Sequence, residues 1–206
     1  MNNKLHRLRE FIWPLLEEDV NSDISDQNLS EENDAAEENP VLKIEDENLD
    51  LALQLQSKIY QEEDDRRKGT ESKATLFMGS LSVANTIVIG ANTLIWGKGI
   101  PIGVIKISVF ISIVLAIYTL RTVWFSVKVL ERGTYHVLGN DDINISGDKN
   151  SYKRDIISSF FKIIKGNEGV INMKVSHLVM AQEYYKRAMF VICLYAFMVF
   201  YFCFFL

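Results

Sequence analysis

Apolar positions in this chain gather into three long runs, each with the length of a membrane span. Residues 74–96 hold 23 positions without a charge, roughly 35 Å as a helix at about 1.5 Å per residue, enough to cross a hydrocarbon core about 30 Å thick. A second run, residues 100–120, carries one charge, Lys106, near its start. Its aliphatic stem can carry the ammonium to the interface, which we weigh above a pore or relay charge. Only Gly97, Lys98 and Gly99 separate these runs, so the pattern predicts a tight antiparallel hairpin with Pro101 in the first turn of the second helix. The third run is residues 188–206, with eight aromatics: Phe190, Tyr195, Phe197, Phe200, Tyr201, Phe202, Phe204 and Phe205. Such tracts mostly face lipid.

The polar remainder carries shorter helical patterns. Leu5, Leu8, Ile12, Leu15 and Leu16 recur at helical spacing in residues 4–18, with Lys4, Arg7 and Arg9 on other faces and Pro14 limiting or kinking the segment. This predicts an amphipathic helix that lies on a membrane, grips a partner or folds back onto the protein's own polar part. Residues 17–40 are dominated by Asp, Glu, Asn and Ser, a composition that cannot repay the entropy of ordering. In residues 41–68, Leu42, Leu49, Leu53 and Tyr60 form one helical stripe. Leu49, Leu51, Leu53 and Leu55 also alternate at strand period, but without β-branched residues the segment reads as a helix with two apolar sides. Gly69 and Thr70 then predict an interruption, with Thr70 or Ser72 capping the first span.

After the second span, Gly133, Gly139, Asn140, Asp141, Asp142 and Gly147 mark a turn-rich stretch with room for one strand pair. Ile156, Ile157, Phe160, Phe161 and Ile164 predict a short amphipathic helix along the inner leaflet over residues 154–165, ended by Gly166 and Gly169. From Val170 one helix can run into the third span.

Charge orients these pieces. Through Lys73 the chain has 9 Lys and Arg against 20 Asp and Glu, and beyond it 13 against 7, a net of −11 followed by +6. The acidic half is either a solvated linker or a restraint that docks on the basic stretch 121–165. Arg66, Arg67, Lys68, Lys73, Arg121, Lys128, Arg132, Lys186 and Arg187 flank one side of the spans against Lys98 and Lys106 on the other. The positive-inside bias therefore predicts a cytoplasmic N-terminus and an outward C-terminus. Trp96 and, on the inner side, Tyr118, Trp124, Tyr184 and Tyr185 fit interfacial belts. The expected class is an all-α membrane protein with three transmembrane helices, an acidic, partly disordered N-terminal cytoplasmic extension and a small cytoplasmic segment between helices 2 and 3. The predicted divisions are 1–40, 41–73, 74–120, 121–187 and 188–206.

Candidate chemistry is sparse. His6, His136 and His177 lie far apart, and Cys193 and Cys203 point about 80° apart on one helix, so neither a metal centre nor a disulfide framework is expected. No cofactor, no enzymatic activity and no direct nucleic-acid binding are expected. The distinctive feature is the first span, where Thr75, Gly79, Ser82, Asn85, Thr86, Gly90, Asn92 and Thr93 fall within about 160° of arc, leaving Ser80 as the polar outlier. Asn facing acyl chains is costly, so this face must meet protein or water. Two readings stay open: packing within the hairpin, or an inter-subunit face of a homo-oligomer that lines an aqueous path.

The helix entering Glu71-Ser72-Lys73-Ala74, the hairpin, the segment bearing Arg154-Asp155-Ile156-Ile157-Ser158 and the long helix 173–186 entering a third span resemble the small transmembrane effectors of bacterial anti-phage systems. That family includes the Pycsar transmembrane effector and the membrane protein that accompanies certain retrons. The resemblance covers residues 49–206; the family's Asp-x-Lys-Ala is represented here by Glu71, Lys73 and Ala74. The acidic extension leans toward the retron-linked type. The resemblance implies abortive infection, an inner-membrane location, and as partners a reverse transcriptase with its RNA–DNA product or a cyclic nucleotide from a nucleotide cyclase. A rival expectation from a different class is a membrane-tethered adaptor that recruits a cytoplasmic toxin or sensor through residues 1–68.

Overall fold

The computed structural model describes residues 44–96, 101–139 and 148–205. Residues 4–18, the acidic linker, Leu42, the 97–99 turn and residues 140–147 lie outside the described residues. The described chain is helical, with no strand. After a single 3-10 turn at Asp46–Asn48, α1 is Leu49–Trp96, α2 is Ile102–Leu130 and α3 is Lys149–Phe205. All three are long and apolar enough to cross a membrane. At 48, 29 and 57 residues they measure about 72, 44 and 86 Å, so each outruns a bilayer core.

Three expectations are corrected. Gly69 and Thr70 do not interrupt α1, and neither Thr70 nor Ser72 is a cap. A glycine in a helix interior costs only about 1 kcal/mol relative to alanine, and Thr70 is itself buried. Gly166 and Gly169 likewise lie inside α3, which is one helix from Lys149 onward. The described part of the turn-rich stretch, residues 131–139, holds no strand, and the rest of it, residues 140–147, lies outside the described residues. The second helix begins after Pro101, which stands at its N-cap instead of in its first turn.

The described chain divides into two packing units, with boundaries inside α1 at Arg66/Arg67, just after α2 at Arg132/Gly133 and inside α3 at Asn172/Met173. In the first unit the α1 start and the α3 start carry the buried residues Leu49, Ile157, Phe160, Ile163 and Ile171. Tyr60 and Phe160 have ring centroids 5.3 Å apart. The short helix expected over residues 154–165 is instead the start of α3, with Ile157 and Phe160 buried in protein packing and Phe161 exposed. Arg154 Nη2 meets Asp46 at 2.6 Å and Lys153 Nζ meets Asp50 at 2.5 Å; these donors hold both carboxyls below their ordinary pKa. The backbone of His136 is clasped by one side chain. Its N–H donates to Asn167 Oδ1 at 2.8 Å, and Asn167 Nδ2 donates to its carbonyl at 2.8 Å. Gly166 lies against the His136 ring, where a Cβ would come into ordinary contact at 3.4 Å.

In the second unit the three helices bundle around Leu81 and Val88 of α1, Leu115 of α2, and Ala188 and Tyr195 of α3. A smaller cluster joins Ala74, Val129 and Leu178 with Phe77 against it. On α1 the positions Ala74, Phe77, Leu81, Asn85, Val88 and Asn92 advance in steps of three and four, the seam of a helix packed nearly parallel to its neighbours. The α2 seam is made of small hydroxyl residues, with Ser108, Thr122 and Ser126 fully buried, which lets backbones approach closely. Tyr184, expected in an interfacial belt, is buried instead, stacked on Phe125 at 5.7 Å. Of the aromatics in the third span, Tyr195 turns inward while Phe190, Phe197, Phe200 and Tyr201 are exposed. Lys106 is exposed near the start of α2.

Candidate functional site

The polar arc of the first span separates into two stripes. Asn85 and Asn92 belong to the inward seam and bond to the other helices. Asn85 Nδ2 donates to Thr119 Oγ1 at 3.1 Å. Asn92 Nδ2 donates to Ser112 Oγ at 2.9 Å, while its Oδ1 accepts from the Tyr195 hydroxyl at 2.8 Å and from Ser108 Oγ. One carboxamide thus ties α1 to both α2 and α3. In hydrocarbon an unmet amide costs several kcal/mol, so this network fixes the register of the three helices.

The second stripe is Thr75, Gly79, Ser82, Thr86, Gly90 and Thr93, centred about 130° round the helix from the seam at 100° per residue. All six are exposed. A Cβ built at Gly79 or Gly90 meets nothing within 4 Å. The hydroxyls are folded onto their own helix: Thr75 to the Glu71 carbonyl at 3.0 Å, Ser82 to Met78 at 2.8 Å, Thr86 to Ser82 at 2.9 Å and Thr93 to Gly90 at 2.7 Å. The stripe therefore presents a smooth, shallow face with no unmet hydroxyl proton.

The family-like motif lies just before the span. Glu71 Oε1 accepts from Lys174 Nζ at 2.6 Å, with Lys174 buried. Ala74 is fully buried and Lys73 is exposed. Close by on α3, His177 packs its ring 6.2 Å from that of Phe125, with Nδ1 buried and without a hydrogen-bond partner. Burial, then the nearby Lys128 charge, holds its pKa below the ordinary histidine value. Further along, Glu183 is held below the ordinary carboxylate range, chiefly by a hydrogen bond from Lys186.

Sequence reasoning identified Asn85 and Asn92 but not their partners. The missed residues, Ser108, Ser112, Thr119, Thr122 and Ser126, do carry a signal, since together with Leu115 and Val129 they repeat in steps of four and three along α2. Comparison with protein-family models, with curated proteins and with solved structures finds no match.

Proposed function

We propose that this protein is a non-enzymatic membrane effector of anti-phage defence, which assembles with copies of itself and permeabilises the bacterial inner membrane when phage infection lifts its restraint. In this reading the N-terminus and the helix extensions beyond the spans are cytoplasmic, as the Lys and Arg asymmetry favours. The observation that carries the proposal is the exposed stripe Gly79, Ser82, Thr86, Gly90 and Thr93. Lipid offers no hydrophobic drive for helix association, and close backbone approach along small residues is what membrane helices use instead. Asn85 and Asn92 are engaged within the chain, so they serve the fold of each subunit and the small stripe serves contact between subunits. The resemblance to retron- and Pycsar-linked effectors supports the same reading and names the triggers to try, a reverse transcriptase complex or a cyclic nucleotide.

The test is a membrane-potential dye assay in cells carrying the full system, with Gly79→Leu/Gly90→Leu beside the parent. Bulky side chains on the stripe should abolish depolarisation while leaving membrane insertion intact. Cells that arrest on infection with potential and dye exclusion preserved would overturn permeabilisation. Expression of residues 69–206 alone separates the adaptor alternative, because a toxic truncation supports the effector and an inert one the adaptor.

A further inference from the structure

Ring contacts fix which charges share a level in the second unit. On α3, Tyr185 is stacked on Phe77 of α1 at 4.7 Å, and Ser80 Oγ donates to its hydroxyl at 3.3 Å. Glu183, Lys186 and Arg187 flank that tyrosine in sequence. The nearest α1 charge, Lys73, precedes Phe77 by four residues and Ser80 by seven, roughly 6 and 10 Å further along the axis. On α2, Tyr118 and Phe125 lie 6.5 and 5.7 Å from the Tyr184 ring, which places Arg121, between them in sequence, at the same level. Three cations and one anion therefore stand on α2 and α3 where α1 still shows apolar surface, with Leu76 66% exposed.

These cations are held in place. The Arg187 side chain is only 15% exposed, and its Nη1 donates to the Glu183 carbonyl at 2.6 Å and to Glu183 Oε2 at 3.3 Å. Lys186 Nζ donates to Oε1 of the same carboxylate at 2.8 Å. Arg121 is half-buried, and with Arg187 and Tyr118 it bears electrostatically on the buried Tyr184 hydroxyl. One carboxylate against three cations leaves an excess of two positive charges. Beside hydrocarbon such an excess is costly until an anion or water approaches it.

We propose that Arg121 and Arg187, with Lys186 at the rim, bind the headgroup phosphate of an anionic phospholipid between α2 and α3. A guanidinium is planar and permanently charged, and its paired N–H groups match two phosphate oxygens. Basic sites between membrane helices hold lipid headgroups in this way. The apolar surroundings favour a lipid over a free phosphate ion. Ile117, one turn from Arg121, and Leu194, two turns from Arg187, are both exposed toward the apolar end of the bundle, where the acyl chains of the same lipid would lie. The inference rests on the bundle's being embedded in a bilayer and is independent of permeabilisation.

The experiment is tryptophan quenching by brominated lipid, with the full chain reconstituted in phosphatidylcholine vesicles holding a minority of phosphatidylglycerol. Trp13→Phe/Trp96→Phe leaves Trp124, exposed and one turn from Arg121, as the reporter. Bromine is placed on the chains of one lipid or the other. On the parent background, phosphatidylglycerol should quench about three-fold above its mole fraction. Arg121→Gln/Arg187→Gln should return quenching to the mole fraction, and Arg121→Gln alone, which spares the Glu183 contacts, should remove about half of the excess. Lys73→Gln/Arg132→Gln takes as much charge from exposed positions and should keep most of it. No enrichment in the parent, or equal losses in the two double variants, would overturn the proposal. Inorganic phosphate that erases the enrichment would also overturn it, assigning the arginines to a soluble anion. Quenching by neither lipid would overturn the membrane-embedded reading beneath it. Circular dichroism certifies the helicity of each variant, and no leakage is measured.

Discussion

The Tyr195 hydroxyl donates to Asn92 Oδ1 at 2.8 Å, joining residues 103 apart in sequence inside the three-helix bundle of the second unit. The same carboxamide binds Ser112 and Ser108. Removing the phenolic oxygen with Tyr195→Phe is expected to cost about 0.5–1.5 kcal/mol, the net worth of a typical intramolecular hydrogen bond. Asn92→Leu should cost more, since three hydroxyls lose a partner at once. Unfolding of the purified protein by titrated sodium dodecyl sulfate reads both, and a Leu variant as stable as the parent would refute the assigned role.

Glu71 and Lys174 meet at 2.6 Å with Lys174 buried. Removing one partner strands the other charge, so Glu71→Ala and Lys174→Ala should each destabilise by about 2 kcal/mol. The exchange Glu71→Lys/Lys174→Glu should recover part of that loss. A double-mutant cycle on thermal unfolding in detergent measures the coupling, and a coupling near zero would make the pair incidental.

His177 predicts an acid sensitivity with a definite sign. Its folded pKa lies below its unfolded value, which is about 6.5, so below that pH the unfolded chain binds more protons than the folded one. Stability should therefore be complete above about pH 6.5 and fall as the pH drops through and below that value. His177→Phe should flatten this part of the profile, as read by melting temperatures between pH 7.5 and 5.5. An unchanged slope would assign the sensitivity elsewhere.

At Gly133 a Cβ would lie 2.9 Å from Val170 Cγ1, and a β-branched side chain on a helix has little rotamer freedom with which to withdraw. Gly133→Ala should destabilise by about 1–3 kcal/mol. Adding Val170→Ala should recover most of it. Hydrogen exchange at the His136 amide, held by Asn167, is a local reporter; equal protection in the single mutant would show that the segment yields freely.

The sequence by itself determined the three apolar helices, because a run of some twenty uncharged residues has few stable conformations outside a membrane. It also determined the two-sided character of the α1 start, legible in Leu49 and Leu53 against Leu51 and Leu55. It could not divide the polar arc of the first span. Asn85 and Thr86 are neighbours in sequence and only 100° apart on a helix, so whether each meets protein or open surface depends on where α2 and α3 cross α1. Tertiary structure alone decided that, giving Asn85 to Thr119, Asn92 to Ser108, Ser112 and Tyr195, and leaving Gly79 and Gly90 bare. It also overrode the glycine signals at Gly69, Gly166 and Gly169, since a local helix cost near 1 kcal/mol is small beside burial of Leu49, Ile163, Ile171 and Asn167 along the same helices.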